Sequence, residues 1–252
     1  MKNLVLKYGK DKINTLTKYP SILTLHKLGD KGKLLNEFTT PISSETFTAT
    51  EKIDGTNARI IILGNEYLIG AREFICHYSE DLYFDNAQFI VQGLKDLNFK
   101  VPYTTELTVI YGEFYGGKTS ANSKQYGKEI NGFRVFDVAV FEDLSILEKD
   151  LSEISKWRET ETNNGIIYGQ KFLNRDEIET HFPELELVPT VNFSLDDTSH
   201  AGILEELNKS IPITNVSLTE TALGKPEGVV VRNEDRSVIV KIRYEDYQRT
   251  LK

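Results

Sequence analysis

The sequence predicts an α+β fold with largely antiparallel sheets, and two observations carry that expectation. Strand-like runs mix with helical segments without the regular alternation that a parallel sheet requires. Short turn signals, Asp54-Gly55 and Gly64-Asn65, punctuate neighbouring apolar runs in the manner of hairpins. No internal repeat and no Pro/Ser-rich linker divides the chain, so residues 1–252 are expected to form a single domain.

Taken in order, residues 47–52 and 57–63 read as strands around Asp54-Gly55, and Glu66–Ala71 follows the Gly64-Asn65 turn. Phe84, Ala87, Val91 and Leu94, flanked by Ile90 and Leu97, recur at helical spacing and predict a core helix. Leu107–Tyr115 is β-rich, with Gly116-Gly117-Lys118 opening a polar loop to Asn131. Gly132–Glu142 is the next strand. A helix is expected over 148–160, a Gly/Asn-rich connection over 161–170, a strand over Leu185–Phe193 and a helix over Ser199–Asn208. Glu227–Arg232 and Ser237–Arg243 predict a final hairpin, after which a helix begins near Tyr244.

Composition narrows the class. With 39% hydrophobic and 27% charged residues the chain can bury a sizeable core. No segment approaches the ~20 apolar residues of a membrane span, and the first residues lack a signal peptide's apolar core. A cytoplasmic protein without a membrane partner is expected. One cysteine, Cys76, excludes an internal disulfide framework; with no second Cys or His at ligand spacing, Cys76-His77 reads as structural. The scattered His26, His181 and His200 read as surface or capping residues. A net charge of −8 argues against nonspecific coating of nucleic acid but leaves room for a local basic cleft.

The chemistry concentrates at Glu51-Lys52-Ile53-Asp54-Gly55-Thr56-Asn57, where a lysine stands at a strand end before a tight turn. A lysine there is a candidate nucleophile. Free lysine has a pKa near ~10.4, and bringing it toward neutrality takes burial or neighbouring cations at about 1.4 kcal/mol per unit. Arg72, Lys241 and Arg243, each beside apolar β-like sequence, are the candidate cations. Glu113 and Glu227 sit in similar settings.

These residues bring the sequence to a known family. Lys52-Ile53-Asp54-Gly55 resembles the opening signature of covalent nucleotidyltransferases, and among them of ATP-dependent RNA ligases of the T4 RNA ligase 2 type. Five companions follow in the family's order. They are Gly70-Ala71-Arg72-Glu73, Tyr111-Gly112-Glu113-Phe114-Tyr115-Gly116, Phe133-Arg134-Val135-Phe136-Asp137-Val138, Glu227-Gly228-Val229-Val230-Val231, and Val240-Lys241-Ile242-Arg243. The resemblance covers about residue 35 to 247, nearly the whole chain.

The resemblance implies a nucleotidyltransferase (adenylation) domain with antiparallel sheets around an ATP cleft and helices packed outside. It implies ATP and Mg²⁺ (or Mn²⁺) as cofactors. Lys52 would take AMP from ATP as a phosphoramidate, pass it to a 5′-phosphate RNA end, and a 3′-hydroxyl would displace it. Lys241 and Arg243 would grip the α-phosphate and lower the Lys52 pKa. Arg72 would contact ribose or phosphate, Glu227 would hold the metal, and Glu113 would bind ribose or assist with metal. Phe136 would stack on adenine, with Phe133 as its rival. Glu51 and Ile53 would meet the adenine edge, Asp54 would order the turn, and Asn57 matches a position tied to sealing.

The implied partners are RNA ends, nicked duplex RNA among them. The sequence ends soon after Arg243, where many RNA ligases carry a separate C-terminal domain, so a homodimer or a partner protein is the expected substitute. Arg243 stands where lysine is common, and arginine keeps the charge. The alternatives are an ATP-dependent DNA ligase-like enzyme, a stand-alone adenylyltransferase, and a non-catalytic RNA-end or nucleotide-binding module.

Overall fold

The computed structural model describes residues 1–42, 46–78, 88–120, 122–159, 170–234 and 236–252. Helices α1 (Lys2–Tyr8) and α2 (Lys10–Thr17) come first, then strands β1 (Leu23–Thr24), β2 (His26–Leu28) and β3 (Leu34–Phe38). The central run is β4 (Phe47–Lys52), β5 (Thr56–Gly64), β6 (Glu66–Ala71), β7 (Ile75–Tyr78), α3 (Gln88–Asp96), β8 (Thr104–Gly116) and β9 (Asn131–Phe141). The last part holds α4 (Leu151–Arg158), β10 (Lys171–Phe172), α5 (Arg175–His181), β11 (Thr190–Val191), α6 (His200–Ser210), β12 (Gly228–Asn233), β13 (Ile239–Arg243) and α7 (Tyr244–Thr250).

The fold is α+β, as expected. One sheet has six strands in the order β10-β9-β8-β5-β6-β7, every pair antiparallel. A second has the order β1-β13-β12-β4-β11 and is antiparallel except where β1 runs parallel to β13. The six-stranded sheet is covered on both faces, which explains why β5 carries an unbroken Ile60-Ile61-Ile62 run instead of alternating with polar residues. Ile60 and Ile62 pack with α3 and α5, while Ile61 faces Ile13 and Leu16 of α2 and Ile154 of α4. The second sheet packs on α6 and α7 through Val229, Val231, Ile242, Ile203 and Tyr247.

Two buried arginines seat α2. The last four carbonyls of a helix lack intrahelical partners. Here Arg59 donates to the Asn14 carbonyl at 3.1 Å and to its side-chain oxygen, and Arg158 donates to the Thr15 carbonyl. Positive charge at that end also suits the helix dipole. Gly70 is required beside Arg59, because a Cβ there would lie 2.7 Å from the guanidinium Nε.

Several expectations need correction. Of Leu185–Phe193 only Thr190–Val191 is strand. Its backbone bonds divide between the two sheets, Val188 N–H donating to Val135 and Glu51 N–H donating to Pro189, so the segment bridges rather than extends a ladder. The helix expected over 148–160 starts after a 3₁₀ turn at Ser145–Glu148, because Asp150 and Glu153 form a capping box. The predicted helix residues Phe84 and Ala87, and the connection at 161–169, lie outside the described residues.

His26 is not a surface residue. It is 2% exposed, its Nδ1 is 2.9 Å from the Tyr247 hydroxyl, and its ring stands edge-on to His200. His181 lies in the last turn of α5, and His200 opens α6 with its Nε2 on the Leu35 carbonyl. Cys76 and His77 are both buried in β7. Among the described residues no helix is long and apolar enough to cross a membrane.

Candidate active site

The chain leaves the second sheet at Lys52, the last residue of β4, and enters the six-stranded sheet at Thr56. The crossing turn is fixed residue by residue. Ile53 is buried among Tyr115, Tyr126, Val188 and Val216. Asp54 orders the turn, its N–H donating to the Tyr126 hydroxyl at 2.8 Å and its carboxylate accepting from Asn122 at 2.7 Å. Gly55 N–H donates to Glu113 Oε1 at 3.1 Å, and a Cβ at residue 55 would strike the Phe114 carbonyl.

Beside this turn lies a cleft of about 460 Å³, in the range of small-molecule sites. Its lining includes Lys52, Asn57, Arg72, Glu113, Phe136, Glu227, Lys241 and Arg243, so residues from six separate stretches of sequence meet there. Strand register explains the grouping. Gly228 of β12 sits between Lys52 and Arg243, and one step along the same face Val230 sits between Thr50 and Lys241.

The charges pair differently from the sequence reading. Lys52 Nζ donates to Glu227 Oε2, so its nearest ionic neighbour is a carboxylate and not a cation. Arg243 lies 3.8 Å from the other Glu227 oxygen and makes a two-pronged contact with buried Asp246 at 2.8 and 3.1 Å. Lys241 has its pKa lowered, first by burial and then by repulsion from Arg243 and Lys52. It makes no salt bridge among the described residues. Glu113 is pushed up to about 8 by burial, with Glu227 and Asp54 adding to the rise while Lys52 and the Gly55 N–H oppose it.

The remaining predicted residues fall into three groups. Phe136 lines the cleft, whereas Phe133 is 8% exposed in the core on the opposite sheet face and packs edge-on against Phe99. Asn57 lines the cleft with its Oδ1 buried and unpaired, an acceptor left unmet by the protein. Arg72 stands at the rim, its side chain 72% exposed and 3.6 Å from Glu73. The Glu51 carboxylate is consumed elsewhere: it accepts from the Thr214 hydroxyl and from Asn215 N–H at 2.8 Å. Of the expected backbone or side-chain contacts to the adenine edge, the backbone of residues 51–53 is the part not already engaged by these two bonds.

Sequence reasoning missed the far end of the cleft, lined by Tyr19, Pro20, Ser21 and Ile22 together with Asp137 and Arg232. Asp137 is 1% exposed and accepts from Tyr19, from Arg232 at 2.9 Å and from Arg236 at 2.7 Å. An aspartate inside the run Val135–Phe141, whose other residues are apolar, was the available signal, since a buried carboxylate demands partners. Its direction was hidden. The ladder pairs Gly112 with Val135 but Tyr111 with Asp137, so Phe136 is the extra residue of a β-bulge and both Phe136 and Asp137 face the cleft.

Among the described residues no three or more His, Cys, Asp or Glu side chains cluster in a way that would hold a metal ion. Magnesium needs only one or two carboxylates alongside substrate phosphates. Glu113 and Glu227 fit that requirement, lining the same cleft as Lys52.

A family model described as RNA ligase matches residues 45–244. A comparison with curated proteins returns no match. Solved structures similar to this chain include three mutants of Naegleria gruberi RNA ligase. An apo aspartate-to-alanine mutant has a TM-score of 0.45 at 16% identity, covering 81% of this chain and 50% of that one. A lysine-to-methionine mutant with AMP and Mn has a TM-score of 0.46 at 16% identity, covering 92% and 63%. A lysine-to-alanine mutant with ATP and Mn has a TM-score of 0.45 at 16% identity, covering 92% and 63%. This chain thus spans 50 to 63% of the length of those solved chains.

Proposed function

The chain belongs to the RNA ligase family, matched over 200 residues from 45 to 244, and from that premise we propose that it joins 5′-phosphate and 3′-hydroxyl RNA ends at the expense of ATP through a lysyl-AMP intermediate. One observation supports this reading above the others. Lys52, Glu113, Glu227, Lys241 and Arg243 converge on one cleft although the sequence separates them by up to 191 positions (243 − 52). A binding module needs cations for the phosphates and has no use for a strand-end lysine held by a carboxylate.

In the first step Lys52 Nζ attacks the α-phosphorus of ATP. An N–P bond forms, the P–O bond to pyrophosphate breaks with its electron pair leaving on pyrophosphate, and the proton lost from Nζ passes to solvent water, which reaches the partly exposed side chain. Attack requires that Nζ give up its contact with Glu227 Oε2. Lys241 and Arg243, on β13 across β12 from Lys52, offer positive charge to the α-phosphate oxygens as charge builds there. The group transferred next is AMP, which passes to the 5′-phosphate of an RNA end, and a 3′-hydroxyl then displaces it. Glu227 and Glu113 would hold Mg²⁺ or Mn²⁺, which would supply Lewis-acid neutralisation of phosphate charge. Phe136 offers a ring face for adenine, and Asn57 offers an unmet acceptor near the reacting end.

The test is incubation with Mg²⁺ and α-labelled ATP. The expected product is a denaturation-resistant, acid-labile protein adduct that Lys52→Ala abolishes. Bound ATP without an adduct would favour the nucleotide-binding module instead. A set of nicked duplex RNA, nicked DNA and single-stranded RNA then separates an RNA ligase from a DNA ligase-like enzyme.

A further inference from the structure

The cleft is chemically two-ended. Lys52, Glu113, Glu227, Lys241 and Arg243 make one end ionic, while Tyr19, Ile22 and Phe136 line the other with aromatic and aliphatic surface beside the mutually paired Asp137 and Arg232. A nucleotide in it would place phosphates at the first and its base at the second. The base end is walled by Tyr19-Pro20-Ser21-Ile22, a stretch that precedes the family-matched region.

We propose that residues 19–22 form a fixed strap over the base end of the cleft, with Tyr19 as a positioning residue that holds Phe136 against the base. The proposal rests on the nucleotide-dependent reading above.

Both ends of the strap are tied down. Before it, α2 is seated by Arg59 and Arg158, and Lys18 pairs with Glu73 at 2.9 Å. After it, β1 joins the sheet beside β13, with Leu23 opposite Val240 and Thr24 opposite Lys241, and Leu25 N–H donates to the Lys241 carbonyl at 3.1 Å. The strap therefore leads directly into β1, which runs beside the strand that carries Lys241 and Arg243.

Tyr19 links the strap to the base-facing aromatic. Its ring meets Phe136 edge-on, centroids 5.0 Å apart and planes at 77°, and it makes a similar contact with Tyr111 at 5.0 Å. Its hydroxyl donates to Asp137, the residue after Phe136, and accepts from Arg236 at 3.2 Å. A bulged residue has no partner in the ladder to set its direction, so the ring of Phe136 takes its orientation from this packing. Arg236 is itself held, its guanidinium lying 4.0 Å over the Phe172 ring.

The experiment measures ATP binding and lysine adenylylation for wild type, Tyr19→Phe and Tyr19→Ala, with inorganic tripolyphosphate as a probe that has phosphates and no base. Loss of one edge-on aromatic contact should raise the KM for ATP in Tyr19→Ala roughly three- to tenfold, with kcat little changed. Tripolyphosphate affinity should stay within about twofold of wild type, and Tyr19→Phe, which keeps the ring, should recover most of the ATP affinity. Equal weakening of ATP and tripolyphosphate in Tyr19→Ala, or no change in either, overturns the strap while leaving the ligase reading intact. A wild-type protein that forms no adduct and binds ATP no better than tripolyphosphate overturns both.

Discussion

Lys52 Nζ donates to Glu227 Oε2 across 175 positions of sequence, and β12 creates that contact by pairing Gly228 with Lys52. The two side chains are 26% and 23% exposed, so solvent screens the pair and its contribution to stability should be no more than about 1 kcal/mol. In the proposed reaction its importance is catalytic. Glu227→Gln should leave the melting temperature nearly unchanged while lowering the rate of adenylylation on the order of 10²- to 10³-fold, the scale for removing one preorganised electrostatic group. Label incorporation and thermal unfolding on the same preparation check this, and parallel losses in both would make Glu227 a structural residue.

Phe136 and Phe133 should separate in the same way. Phe133 fills the core between Gly112 and Phe99, so Phe133→Ala is expected to cost about 3 to 5 kcal/mol of stability. Phe136 borders the cleft, so Phe136→Ala should raise the KM for ATP with a smaller loss of stability. Chemical denaturation alongside ATP titration distinguishes them.

That pair also marks how far the sequence could be read. The alternation of β9 places Phe133 and Phe136 on opposite faces, but nothing in the residues announces the bulge that turns Asp137 to the same side as Phe136. The strand-end lysine, the two glutamates and the late cations were legible because each stands at the edge of an apolar run. Tyr19 was not. Its role depends on an extended segment docking beside β13, a contact between residues more than 200 positions apart with no local pattern. His26 was misread for the same reason, since only the tertiary placement of Tyr247 and His200 buries it. Glu51 carries a different lesson, because a residue next to the nucleophile turned its carboxylate toward Thr214 and Asn215.

Gly70 gives a test of the buried arginine. In Gly70→Ala the new methyl would lie 2.7 Å from Arg59 Nε and 3.0 Å from the Phe74 carbonyl. Neither neighbour can withdraw easily, because Arg59 is fully buried and holds the end of α2. A destabilisation of about 1 to 3 kcal/mol is expected, the usual cost of overpacking. Melting at the wild-type temperature would show that the guanidinium has room to move.

His26 predicts a dependence of stability on acid. Burial, and then the charge of His200, holds its pKa down to about 4, against 6.5 for a free imidazole. The unfolded chain therefore binds the extra proton between about pH 6.5 and 4, and the folded one does not. Stability from this group is complete above pH 6.5 and falls as pH drops toward 4, by at most about 3 kcal/mol. His26→Gln, which cannot titrate, should flatten that part of a pH series of denaturant unfolding. An unchanged slope would assign the acid sensitivity to other groups.

Glu113 should behave in the opposite sense. Burial, reinforced by Glu227 and Asp54, raises its pKa to about 8, although Lys52 and the Gly55 N–H favour the charged form. Between about pH 4.5 and 8 the folded protein holds a proton that the unfolded chain has lost, so stability falls as pH rises through that window. The loss is bounded at roughly 4 to 5 kcal/mol. Glu113→Gln keeps an acceptor for Gly55 N–H and carries no charge, so it should be more stable than wild type at pH 8 and above, and equal to it near pH 4. If Glu113 helps hold a divalent cation, added Mg²⁺ should restore wild-type stability at high pH and leave Glu113→Gln unmoved. Stabilisation of both proteins to the same degree would place the cation elsewhere, and a wild type whose stability does not fall between pH 5 and 8 would show that Glu113 is ionised without help.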